Sequence, residues 1–183
     1  MTHYGAKELA EGFRTVRKNT VTIAEDIPEE KYGFRATPEV MSVREMLAHL
    51  ATSTSWQVDV HGQKVSSLDA AFFGARRQQV AQLEQALATK ADVIGALRDE
   101  GERFTAFIEK LDEQALAEIV TFAPPVQPSR KSRFEMLLSA KEHEMHHRGQ
   151  LMLIQRLIGQ VPHLTRARQA RFGQPSAAPA AAR

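Results

Sequence analysis

Cysteine is absent from the 183-residue chain, which removes disulfides, thiolate nucleophiles and sulfur-rich metal sites at once. Any metal the protein binds must therefore be held by His, Asp or Glu. Long apolar runs are missing too. The longest stretch without Asp, Glu, Lys or Arg is the 13 residues Met46 to Val58, short of the ~18 apolar residues a membrane span requires, so no membrane partner is expected. The opening segment Met1-Thr2-His3-Tyr4-Gly5-Ala6-Lys7-Glu8 meets a charge pair before any apolar stretch and so lacks the hydrophobic region of a signal peptide. The expected location is the cytoplasm. Glycine (10) and proline (8) are too few for a collagen-like or disordered chain, and 43 % hydrophobic with 25 % charged residues is the composition of a globular protein. The length suits one main domain.

Neither sign of charge dominates: 24 basic less 22 acidic residues leaves +2, too little to mark a nucleic-acid binder. The distribution is uneven. Residues 130–183 carry 10 basic and 3 acidic residues, net +7, leaving 14 minus 19, or −5, for residues 1–129. This reads first as a solvated helix face with a basic tail. Phosphate binding would call for interleaved aromatics or a recognised motif, and neither is present, so nucleic acid is not an expected partner.

What is present is a set of helix starts. In each, a hydroxyl residue is followed three positions later by an acid, so that side chain and backbone cap one another. Ser42 with Glu45 precedes Met46, Leu47 and Leu50; Thr89 with Asp92 precedes Val93, Ile94 and Leu97; Ser132 with Glu135 precedes Met136, Leu137 and Leu138. A further helix is predicted near the N-terminus, where Leu9, Phe13, Val16, Thr20 and Ile23 form one stripe. It should end near Ile27, because the residue before Pro28 is pushed out of the helical region. Residues 28–38 read as a loop that tucks Tyr32 and Phe34 against the core. Residues 61–88 read as irregular and then helical, and residues 112–131, with Pro124, Pro125 and Pro128, as a crossing loop with one short extended piece at Ile119–Phe122. Gly101 interrupts the helix that Thr89 opens, at a cost of about 1 kcal/mol against alanine. Four amphipathic helices without a run of alternating strands predict an all-α fold, a four-helix bundle, over residues 1–165. Residues 166–183 read as a basic, Ala/Pro-containing tail that is disordered at its end.

Of seven histidines, three crowd into Lys141-Glu-His-Glu-Met-His-His-Arg-Gly-Gln150. Residues i and i+4 share a helix face, so His143 and His147 can reach one cation. The line through them runs Met136, Ala140, His143, His147, Leu151, Ile154 and Ile158, an apolar stripe broken only by the two rings. They should point inward. The line through His146 passes Ser139 and Glu142, which places His146 at the flank. A further ligand has to come from another helix, and His49 is the candidate, on a face that runs Met46, His49, Ser53, Trp56 and Val60. A lone inward histidine is more often a hydrogen-bonded core residue than a ligand. Several imidazoles buried together without compensation, however, cost a few kcal/mol each, and a shared cation removes that cost. His3, His61 and His163 read as surface residues, and Trp56 as core filler before pocket wall.

The stretches Ser42-Val-Arg-Glu-Met-Leu47 with His49-Leu-Ala51 and Trp56, and His143-Glu-Met-His-His-Arg-Gly-Gln-Leu151, resemble the DinB-like (YfiT-like) superfamily of candidate metalloenzymes. The resemblance spans residues 5–165. It implies a four-helix bundle with a long crossover connection, commonly a homodimer, and a divalent metal held by three histidines, which match His49, His143 and His147 here. It also implies thiol-dependent transferase or isomerase chemistry in some relatives, with bacillithiol, mycothiol or glutathione as the thiol. Three imidazoles suit zinc or nickel first, with iron and copper as alternatives. The first functional expectation is a metal-dependent enzyme, of thiol-dependent S-transferase, isomerase or hydrolase type, acting on a small-molecule substrate. The thiol would be a low-molecular-weight cosubstrate, since the chain has no cysteine. Glu45, Glu142, Glu144 and Gln150 are the candidates for orienting the rings. The competing expectation is a non-catalytic protein in which the metal pins helices together or senses metal supply.

Overall fold

The computed structural model describes residues 4–173. His3 and residues 174–183 of the expected tail lie outside them. Helix α1 (Ala6–Asp26) buries Leu9, Phe13, Val16, Thr20 and Ile23 and stops before Pro28, as the proline demands. After one 3-10 turn (Glu29–Lys31), Tyr32 tucks under the bundle and its hydroxyl donates to the Ala24 carbonyl at 2.7 Å. Helices α2 (Val43–Thr52) and α3 (Ser55–Gly62) follow, then strand β1 (Ser67–Leu68) and helix α4 (Ala70–Ala86). Helix α5 (Lys90–Ile108) and the short α6 (Glu113–Ala117) lead to strands β2 (Ile119–Phe122) and β3 (Arg130–Ser132). The long α7 (Arg133–Leu157) and α8 (His163–Phe172) complete the described chain. All three hydroxyl–acid capping boxes form, at the starts of α2, α5 and α7.

The bundle consists of α1, α2, α5 and α7, with both α1 and α2 packed against α5 and α7. Its core falls into two main apolar clusters. One joins Ile23, Leu47, Leu50, Leu97 and Leu151; the other joins Leu9, Phe13, Phe104, Ile108 and Leu137. Between them lies a buried charge. Arg17 of α1 donates through Nε to both oxygens of Glu144 at 2.9 and 3.0 Å, through Nη1 to Leu97 O at 2.9 Å and through Nη2 to Leu50 O at 3.0 Å. One guanidinium thus joins all four bundle helices. Gly101 makes room for it: a Cβ there would lie 2.8 Å from Arg17 Cγ, which gives a packing reason for a residue that otherwise weakens α5.

The fold is mostly helical, as expected, but three parts differ from the sequence expectation. The face Met46–Val60 is not one helix. In the run Thr52-Ser-Thr-Ser55, Thr52 Oγ1 donates to Ala48 O and Ser53 Oγ to Leu50 O, and such hydroxyls compete for the helix's own carbonyls, so the helix breaks and restarts as α3. The two long connections carry a small sheet of order β1-β2-β3. Here β1 pairs parallel with β2 (Ser67 opposite Thr121), and β2 pairs antiparallel with β3 (Val120 opposite Lys131). The extended piece foreseen at Ile119–Phe122 is its central strand. Finally, His163–Phe172 is helical where no apolar periodicity marked a helix, and α8 buries no residue fully.

His61 is a correction of another kind. It is 4 % exposed, not a surface residue, because Arg133 and Gln57 satisfy both ring nitrogens. Arg133 Nη1 donates to Nδ1 at 3.1 Å, and Nε2–H donates to Gln57 Oε1 at 3.1 Å. Arg133 also donates to Glu118 and to Val65 O, tying α7 to both long connections. Burial and the Arg133 charge push the His61 pKa down to about 4. His163 is half-buried rather than on the surface, with Nε2 3.0 Å from Asn19 Oδ1.

Candidate metal centre

His143 and His147 sit one turn apart on α7, whose cap at Ser132 and buried Met136, Ala140, Leu151 and Ile154 set which way the helix faces. His49 projects from α2, whose buried Met46, Leu47 and Leu50 set its rotation in the same way. The three rings meet between the helices. His49, His143 and His147 each offer a nitrogen within 4.8 Å of the other two, the one such group of His, Asp and Glu among the described residues. Nε2 of His49 lies 3.1 Å from Nε2 of His143. Two ligands on one tetrahedral ion, with bonds of ~2.0–2.1 Å, stand about 3.3 Å apart, so this spacing suits a shared cation. All three rings are half-buried, and His146 is exposed at the flank, as expected.

The partners of the outer nitrogens settle the inner ones. His49 Nδ1–H donates to Glu84 Oε1 at 3.1 Å, and His147 Nδ1–H donates to Gln150 Oε1 at 2.7 Å. In the neutral form each of these rings carries its lone pair on Nε2, the atom turned from the outer partner. The donor set therefore fits a divalent ion: three ring nitrogens turned to one point, with two of the outer nitrogens held by Glu84 and Gln150. Burial, aided by the neighbouring His147, His49 and His146, pushes the His143 pKa down to about 4. Burial likewise lowers His147, although its bond to Gln150 opposes the shift. Both rings are neutral at pH 7 and free to coordinate.

Of the residues expected to orient the rings, only Gln150 does so. Glu45 closes the α2 cap and pairs with Arg35, Glu142 is exposed, and Glu144 is turned away onto Arg17. The carboxylate that holds His49 is Glu84, which comes from α4. No sequence signal pointed to it, since α4 packs on the outside of α2 and its sheltered face is not apolar.

A cavity of about 570 Å³ opens beside the rings, lined by His49, His143, Trp56, Phe73, Arg76, Val80 and Glu84 among others. This is within the ~300–1,000 Å³ of small-molecule sites. Trp56 is thus part of the pocket wall, not core filler. Among the described residues no helix is long and apolar enough to cross a membrane.

Comparisons with known proteins agree with this architecture. The model of the DinB superfamily matches residues 13–151. A protein of Bacillus subtilis, YjoA, is 24 % identical over 155 residues, covering 84 % of this chain and 91 % of that one. The crystal structure of that DinB-like protein superposes with a TM-score of 0.63 at 23 % identity, over 84 % of this chain and 93 % of the other.

Proposed function

The chain belongs to the DinB superfamily, and on that footing we propose that it is a metal-dependent enzyme. Its divalent ion is held by His49, His143 and His147, and its substrate is a small molecule in the adjoining cavity. The reading is carried by the convergence of three imidazoles from two helices beside that cavity, with the outer nitrogens of two already committed to Glu84 and Gln150. When bound, the ion supplies Lewis acidity that makes a water or a thiol nucleophilic near neutral pH. Zinc or nickel suits three imidazoles, with iron and copper as alternatives. The reaction class is thiol-dependent transfer or isomerisation, or hydrolysis. A thiol has to arrive on a low-molecular-weight cosubstrate, because the chain has no cysteine.

The chain's own groups hold the ring protons and shape the cavity. Glu84 Oε1 keeps the proton of His49 on Nδ1, and Gln150 does the same for His147. Trp56, Phe73 and Val80 give one side of the cavity an apolar surface. The partner we propose for the outer face of α7 is a second copy of the chain. Met145, Gly149, Leu153 and Leu157 recur there at steps of four and are all exposed, an apolar stripe of the kind that homodimers cover.

Protein prepared without a polyhistidine tag is expected to carry stoichiometric metal by elemental analysis, and His49→Ala or His147→Ala to abolish it. Stoichiometric metal in either variant would contradict the ligand set. A screen with thiol cosubstrates and ester substrates then tests the enzymatic part. A metal-loaded chain that melts far lower after chelation but turns over none of them would instead be a structural or sensor protein.

A further inference from the structure

Helix α4 buries no residue fully, yet it shelters one stripe, Phe73, Arg76, Val80 and Glu84, and all four line the cavity. Phe73 and Val80 form an apolar wall with Trp56, and Glu84 is committed to His49. Arg76 has no such commitment. Its side chain is only 11 % exposed, and Asp59, its one acidic contact, stands 3.9 Å away with 54 % of its side chain in solvent. Nη1 donates to Gln79 at 2.8 Å, and Nη2 donates to Ser55. Of the five guanidinium donors, these two bonds use two and leave three without a protein acceptor among the described residues, one of them the buried Nε. A sheltered guanidinium short of acceptors, beside the apolar Trp56, Phe73 and Val80, calls for an anion.

The charge of the cavity points the same way. Arg76 and Arg77 against Glu84 leave +1 on its lining, and a divalent ion on the histidines adds two more. Such a cleft draws anions.

We propose that Arg76 is the anion anchor of this cavity, and that the ligand is a small carboxylate on an apolar, ring-sized body. The carboxylate sits on the guanidinium, and the body lies against Trp56, Phe73 and Val80. The proposal deepens the enzymatic reading and rests on it for the histidines being the reactive end of the cavity. It makes Arg76 a binding residue for the substrate class, with the ion left to act on a group at the ligand's other end.

Trp56 is the chain's one tryptophan, so intrinsic fluorescence follows the cavity directly. The full chain is titrated, first chelator-treated and then zinc-loaded, with benzoate, phenylacetate, 3-phenylpropionate and 4-phenylbutyrate and with the matching primary amides. The chelated arm removes any binding of the carboxylate through the ion. At least one acid is expected to give a saturable change in the chelated protein, with its amide at least about tenfold weaker, the size of a lost charge-assisted bond. Arg76→Gln should erase that preference, Arg76→Lys should keep part of it, and Arg168→Gln, exposed on α8 and outside the cavity lining, should leave it intact. Acid and amide binding alike, none of the four acids binding, or a preference that survives Arg76→Gln would overturn the proposal. If Arg76→Gln does not fold, the acid–amide comparison on the unaltered chain decides. A chain that takes up no metal but keeps the Arg76-dependent preference sinks the metal reading alone; one that holds metal without the preference sinks this proposal alone.

Discussion

Replacing Arg17 by methionine tests how the bundle is fastened, because it removes a guanidinium and keeps most of the aliphatic volume. The carboxylate it leaves behind, Glu144, is fully buried, and Arg17 itself is 4 % exposed. The carbonyls of Leu50 and Leu97 also lose a donor, but Leu50 O keeps the Ser53 hydroxyl at 3.0 Å, so the loss falls mainly on Glu144. Removing one member of a buried pair costs about 3–5 kcal/mol, against the roughly 5–15 kcal/mol that holds an ordinary domain together. The Arg17→Met variant should therefore sit near the edge of folding. Adding Glu144→Leu removes the stranded charge, and replacement of a buried pair by apolar groups is close to neutral. Most of the lost stability should then return. Urea denaturation of the four proteins of this cycle, followed by circular dichroism and extrapolated to water, gives the coupling. A cost below about 1 kcal/mol for Arg17→Met, or simple additivity in the double variant, would refute the reasoning.

Two further outcomes follow from the geometry. The folded pKa of His61, about 4, lies below its ordinary 6.5, so the unfolded chain takes up a proton that the folded chain refuses. Stability is full above about pH 6.5 and falls as pH drops toward 4, by up to roughly 3 kcal/mol. Urea midpoints of chelated protein across that range should fall more steeply than those of His61→Gln, and equal slopes would exclude His61 as a source. For the outer face of α7, Leu153→Glu with Leu157→Glu replaces residues that are 58 % and 55 % exposed. It should turn a dimer into a monomer in light scattering with little change in melting temperature; a variant with the parent's mass would place the contact between copies elsewhere.

The sequence showed most where a residue type meets a strict spacing. The pairs Ser42/Glu45, Thr89/Asp92 and Ser132/Glu135 announced three helix starts, all formed, because a capping box needs only four consecutive residues. The stripe Met136 to Ile158 placed His143 and His147, and the shorter stripe around Met46 placed His49, because both helices bury a continuous apolar face. Helix α4 defeated the same reasoning. Its sheltered positions at 73, 76, 80 and 84 have helical spacing, but they are Phe, Arg, Val and Glu, a mixture suited to lining a cavity. Glu84 and Arg76 were therefore invisible. The burial of His61 is not legible in the sequence because the groups that satisfy it in the interior, Gln57 and Arg133, include one 72 residues away. The sheet escaped notice because β1 has only two residues, too few for alternation to register.

His49 and His143 are 94 residues apart in the chain yet touch in the folded protein. A polypeptide still being synthesised shows its first imidazole early, while the other two lie on the last helix of the bundle to leave the ribosome. Until α7 has emerged, a nascent chain has only His49 of the three rings, and the full set forms only when α7 docks. On the proposed reading, loading waits for the end of assembly, and an occupied site would certify that the two distant segments have found one another.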